Sequence, residues 1–160
     1  MAWNPLTTRS GALVIDANVA IAVCAKETQK YSQARAELQN YSRQGYSWYA
    51  PGVIVPESLH ALCRKEHEGI ITSAEHAQAV DDFQIFMQSV SPPPNGEASL
   101  ILRADQIRGS YGCSRSADAL YIALAEELSQ TYTTRLLTFD QGLPRQAAQN
   151  APLVNVHLLT

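Results

Sequence analysis

Two short apolar runs in this chain end on an aspartate. Leu13-Val14-Ile15 runs into Asp16, and Leu136-Leu137-Thr138-Phe139 runs into Asp140. Apolar runs of this length predict strands covered on both faces, as in a parallel sheet. Most of the remaining pattern has helical spacing. Asn18 is expected to cap a helix through Val19-Ala20-Ile21-Ala22-Val23. A second helix is expected from Thr28, with Tyr31, Ala34, Leu38 and Tyr41 on one face and Gly45 at its close. Ser47-Trp48-Tyr49 predicts a short strand. The next helix carries Leu59, Leu62 and Cys63 on its apolar face as far as Gly69. If it starts at Pro51, then Pro56 kinks it; otherwise it starts near Pro56.

Thr72-Ser73-Ala74-Glu75 has the form of a capping box. The helix it opens has Val80, Phe83, Met87 and Val90 on its apolar face, and Asp81 and Asp82 on a solvated one. Pro92-Pro93-Pro94-Asn95-Gly96 breaks the pattern as a loop, being too short for a domain linker. Glu97 to Arg108 predicts a helix. Ser114 or Ser116 caps the following one, whose stripe is Ala117, Leu120, Tyr121, Leu124 and Leu128. A strand over Arg135–Phe139, a short helix from Gln141 to Gln149 containing Pro144, and a last strand over Leu153–Val156 complete the chain. Strands alternating with helices, with a helical insertion in the middle, give an α/β fold: a mainly parallel sheet with helices on both faces.

Composition narrows this picture. At 160 residues, 46% of them hydrophobic, residues 1–160 are expected to form a single domain with a real core. No apolar run is long enough for a membrane span, and Met1 to Gly11 has no signal-peptide core, so a cytoplasmic protein is expected. Three cysteines at wide spacing (Cys24, Cys63 and Cys113) do not make a disulfide framework. Cys63 and His67 stand four apart, but two further metal ligands are missing from the pattern, and Cys63 is expected in the core. A net charge of −3 counts against a bulk nucleic-acid binder. It is compatible with a nuclease whose clustered carboxylates are offset by bound cations.

The candidate chemistry lies in four acids. Asp16 and Asp140 follow strands, and in open parallel sheets sites lie beyond the carboxyl ends of the strands. Asp118 falls in the first turn of a helix, and Glu57 near the start of another. Taken singly, each has a structural explanation: Asp118 as a helix-start acid, Asp140 as a turn residue before Gly142, Glu57 as an exposed helical position. Asp16 is the hardest to explain that way, because Asp is poor in a buried strand. The ordered set is more informative than any member.

That set resembles a PIN domain, and in particular the toxin ribonucleases of bacterial VapBC-type toxin–antitoxin pairs. Val14-Ile15-Asp16-Ala17-Asn18 resembles the opening strand with its Asp. Ala50-Pro51-Gly52-Val53-Ile54-Val55-Pro56-Glu57 resembles the proline-led helix that supplies a Glu. Ala117-Asp118-Ala119-Leu120-Tyr121-Ile122-Ala123-Leu124-Ala125-Glu126 is similar to the Asp-Ala-Leu helix, the most specific stretch. Leu136-Leu137-Thr138-Phe139-Asp140 resembles the closing strand end. The likeness runs from about Leu13 to Val156. It departs at Ala17-Asn18, where many members have Ser or Thr after the first Asp, and at Pro56, directly before Glu57.

The resemblance implies a PIN-like three-layer sandwich and a metal-dependent endoribonuclease, with Asp16, Glu57, Asp118 and Asp140 as catalytic residues and metal ligands. Hard cations such as Mg²⁺ or Mn²⁺ prefer such oxygen ligands and support hydrolysis of RNA by a metal-activated water. Asn18, Thr138 and Arg115 are the substrate-binding candidates, with Arg9, Lys26 and Arg145 weaker ones. His60 is given no role. The resemblance also implies a small antitoxin partner seated in an apolar groove, and a homodimer. Tyr31, Tyr41, Tyr46, Trp48 and Tyr49 are candidates for those surfaces or for the core. Two alternatives stand beside it: a non-catalytic PIN-like module that binds RNA or protein, and an aspartate-based phosphatase with Asp16 as nucleophile. The phosphatase typically needs a second Asp two residues on, where this chain has Asn18.

Overall fold

The computed structural model describes residues 11–110, 112–113 and 117–160. Among them run five strands, all parallel, in the order β3-β2-β1-β4-β5. These are β1 (Gly11–Ile15), β2 (Tyr46–Tyr49), β3 (Val90–Ser91), β4 (Thr133–Thr138) and β5 (Val156–Leu158). β1 is fully buried. Its alternate residues feed two cores: Ala12 and Val14 face one, Leu13 and Ile15 the other. Covering such side chains contributes about 1.5–3 kcal/mol each.

Helix α2 (Tyr31–Arg43) covers the Leu13 and Ile15 face through Ala34, Leu38 and Tyr41. The other face carries α3 (Ile54–His67), α4 (Ser73–Gln88), α5 (Ile101–Gly109), α6 (Asp118–Ser129) and α7 (Leu143–Asn150). Helix α1 (Ala17–Cys24) contributes to both cores. The layers are therefore helix, sheet and helix, as the alternation of patterns predicts.

Several boundaries differ from the sequence expectations. α2 begins at Tyr31, not Thr28, after the left-handed residue Gln29. α3 begins at Ile54, in line with the expected start near Pro56, and Pro56 sits in the first turn, where its missing N–H costs nothing. The Thr72 capping box forms as expected. Val90 leaves the α4 face to join β3, an edge strand of two residues. Glu97–Leu100 is a 3-10 turn leading into α5, not one continuous helix. The last strand is Val156–Leu158, slid along from Leu153–Val156, and it pairs with Leu136, Leu137 and Thr138. Cys63 is exposed, not in the core. α6 is not a one-faced helix: every residue from Tyr121 to Ala125 is buried, because α6 packs on β1, β4 and α5 at once. No helix among the described residues is long and apolar enough to cross a membrane.

Candidate active site

The sheet order places the switch in chain direction between β1 and β4. The chain first builds outward through β2 and β3, then returns to the other side of β1 for β4 and β5. Adjacent crossovers leave in opposite directions there, opening a crevice beyond the strand ends. Asp16 and Asp140 stand at that place.

Asp16 serves strand and helix together. Its N–H donates to the Leu137 carbonyl at 3.1 Å, and its own carbonyl accepts from the Val19 N–H at 3.0 Å. The residue thus starts α1 while its side chain stays out of the cap. Asn18 does not cap the helix. It lies within the first turn and reaches the neighbouring strand end: its Oδ1 accepts from the Phe139 N–H at 3.1 Å, and its Nδ2 donates to Thr138 Oγ1 at 3.2 Å and Asp16 Oδ2 at 3.3 Å. Thr138 donates its hydroxyl proton to Asp16 Oδ2 at 2.8 Å and accepts from the Asp140 N–H at 2.9 Å. The one proton and two lone pairs of that hydroxyl are all engaged. Asn18 and Thr138 lace the β1 and β4 ends together and hold the first acid.

Glu57 comes from the first turn of α3, and its Oε1 accepts from the Tyr121 hydroxyl at 2.8 Å. Asp118 is the first residue of α6. The electrostatics link three of the four acids. Burial pushes the Asp16 carboxyl up to about 7, and the charges of Asp118 and Glu57 push it the same way, against the Thr138 hydrogen bond. Burial also raises Glu57, helped by Asp118 and opposed by the Tyr121 hydrogen bond. Asp140 is joined to Asp16 through Thr138, and its own Oδ1 accepts from the Gly142 N–H at 2.8 Å.

The donor set is all carboxylate oxygen, which matches Mg²⁺ or Mn²⁺ by ligand chemistry. As the side chains are oriented, no three acid, His or Cys groups among the described residues stand ready to hold an ion. Glu57, Asp118 and Asp140 are only half-buried.

A family model for the PIN domain matches residues 13–149, most of the chain and all four acids. The chain belongs to the PIN domain family. No curated protein sequence matches it. In fold, this PIN domain is similar to a chain of VapBC2 from Rickettsia felis, a crystal structure bound to a DNA fragment from their promoter. The TM-score is 0.60 at 12% identity, covering 92% of this chain and 98% of that one.

Two residues of the PIN domain site escape a sequence pattern. Tyr121 reads as part of an apolar stripe; the available signal is its position one helical turn after Asp118, with a hydroxyl that burial obliges to find a partner. Glu97 accepts from the Gly52 N–H at 2.6 Å and so braces the loop that enters α3; nothing in the pattern links residues 45 positions apart. Arg9 and Arg115 lie outside the described residues. His60 is exposed on α3.

Proposed function

We propose that this PIN domain is a Mg²⁺- or Mn²⁺-dependent endoribonuclease, the toxin of a toxin–antitoxin pair. The observation that carries the reading is Asp16: a carboxylate buried at the crevice between β1 and β4, under the like charges of Glu57 and Asp118. A protein keeps such an acid at a cost unless a cation offsets it. Asp16, Glu57, Asp118 and Asp140 are the residues that would hold the cation. When bound, it polarises a phosphate oxygen, acidifies water and offsets charge on the leaving oxygen.

The chain's own groups prepare the site. Thr138 and Asn18 hold Oδ2 of Asp16. The N-terminus of α6, where Asp118 stands, adds its dipole to the attraction for a phosphate. Arg115, three residues before Asp118, is proposed as the phosphate contact, and Asn18 and Thr138 act on substrate through Asp16. Single-stranded RNA is the proposed substrate, in the cytoplasm. The likeness to VapBC2 supports an antitoxin partner; a homodimer is proposed beside it. A seat for the antitoxin is available in an apolar groove of about 470 Å³ lined by Val23, Leu38, Trp48 and Phe86, with Arg35 and Arg43 at its margin.

The phosphatase alternative is weaker, since the second acid it needs two residues after Asp16 is Asn18 here. The test is cleavage of single-stranded RNA with and without Mg²⁺ or Mn²⁺. Wild type cuts only with the ion, and Asp16→Asn and Asp118→Asn do not cut. Wild-type protein as inert as both variants on every RNA tried would leave the non-catalytic module.

A further inference from the structure

Tyr121 does more than its place in the core requires. The residue is 1% exposed, at the head of the run Tyr121–Ala125 of α6 that is buried throughout. A phenylalanine would fill the same volume. The hydroxyl adds only polar bonds, and a buried hydroxyl is costly unless it makes them. It donates to Glu57 Oε1 at 2.8 Å, and the backbone N–H of Ala17 is directed at the Tyr121 hydroxyl oxygen itself. One atom on α6 therefore ties the start of α1, directly after Asp16, to the acid on α3.

We infer that Tyr121 is a positioning residue: it fixes Glu57 through Oε1, leaving Oε2 as the oxygen turned to a bound cation or its water. This rests on the nuclease reading above and deepens it. Tyr121 touches neither substrate nor ion; it acts through Glu57. Without the hydroxyl, Glu57 gains rotamer freedom and Oε1 loses its donor. Partners that orient a ligand in this way are typically worth about 10–100-fold in metal affinity or activity.

The experiment is a cycle of Tyr121→Phe, Glu57→Gln and the double variant, read in two ways. The first is Mn²⁺ affinity by calorimetry. Tyr121→Phe should lower it about tenfold, and should lower it no further in the Glu57→Gln background. Affinity unchanged by Tyr121→Phe, or lowered equally in both backgrounds, overturns the inference. The second reading is thermal unfolding in chelator. The two single shifts should be non-additive, because the Tyr–Glu bond exists without the ion, and strictly additive shifts overturn the inference as well. Wild-type protein that binds no Mn²⁺ would fail the nuclease reading alone. The chelator cycle would then decide Tyr121 by itself.

Discussion

The two strand ends that carry aspartates look alike in sequence and differ in the fold. Asp16 is the single residue between β1 and α1, is 7% exposed, and is pushed up to about 7 chiefly by burial. Asp140 is half-buried and leads a turn, its Oδ1 spent on the Gly142 N–H at 2.8 Å. The same motif thus gives one acid held at a cost and one that supports its own loop. The difference comes from the next element of the chain: a helix after Asp16, a turn ahead of Gly142 after Asp140.

The largest expected effect is on catalysis. Asp16→Asn should reduce metal-dependent RNA cleavage by about 10³-fold or more, and Asp140→Asn by about 10–100-fold. Equal losses in single-turnover assays would abolish the asymmetry.

The pH dependence of the metal-free fold comes next. Asp16 ionises near 3.8 when unfolded and near 7 when folded. Between those values the native state binds more protons than the unfolded one, so stability falls as pH rises. The fall is on the order of a few kcal/mol and is complete above pH 7. Glu57, also raised, adds in the same direction. Denaturant unfolding in chelator from pH 4 to 8 should show this slope, and Asp16→Asn should flatten it and be more stable than wild type at pH 8. A steeper slope in that variant would contradict the burial argument.

Thr138→Val should destabilise the fold by about 2–3 kcal/mol, since it removes the proton given to Asp16 and the acceptor of the Asp140 N–H. Thr138→Ser should recover most of that. The smallest effect is Asp140→Ala, about 1 kcal/mol less stable through loss of the Gly142 contact, opposite in sign to Asp16→Asn at pH 8.

The strand–aspartate pairs are legible in the sequence because a buried parallel strand must be continuously apolar, so an acid at its end marks both the boundary and the crevice. Thr72 and Glu75 are legible because a capping box is local. The errors have physical causes. Asn18 is a strong cap by type, yet here the backbone of Asp16 starts the helix and the Asn side chain is drawn to Phe139 and Thr138, some 120 residues away in sequence. The sequence leaves the start of α3 open between Pro51 and Pro56, because the start at Ile54 carries no side-chain cap to mark it. β3 is too short to show alternation. Tyr121 and Glu97 act through partners 64 and 45 positions distant, which no spacing rule encodes. In α6 the apolar stripe suggests a single buried face, but a helix wedged between sheet and α5 is covered nearly all round.

The one-residue connection between β1 and α1, Asp16, has a consequence for how this molecule tolerates change. One amino acid inserted between Ile15 and Ala17 would turn the helix by roughly 100° about its axis. Val19 and Ala22, which fill one core, and Ala20, Ile21 and Cys24, which fill the other, would all be misdirected together. Asp140 is instead followed by a two-residue turn before α7, which can absorb an added residue ahead of the core positions Leu143 and Ala147. The first aspartate is therefore the fixed datum from which the crevice is measured, and length variation can be accepted on the Asp140 side but not on the Asp16 side.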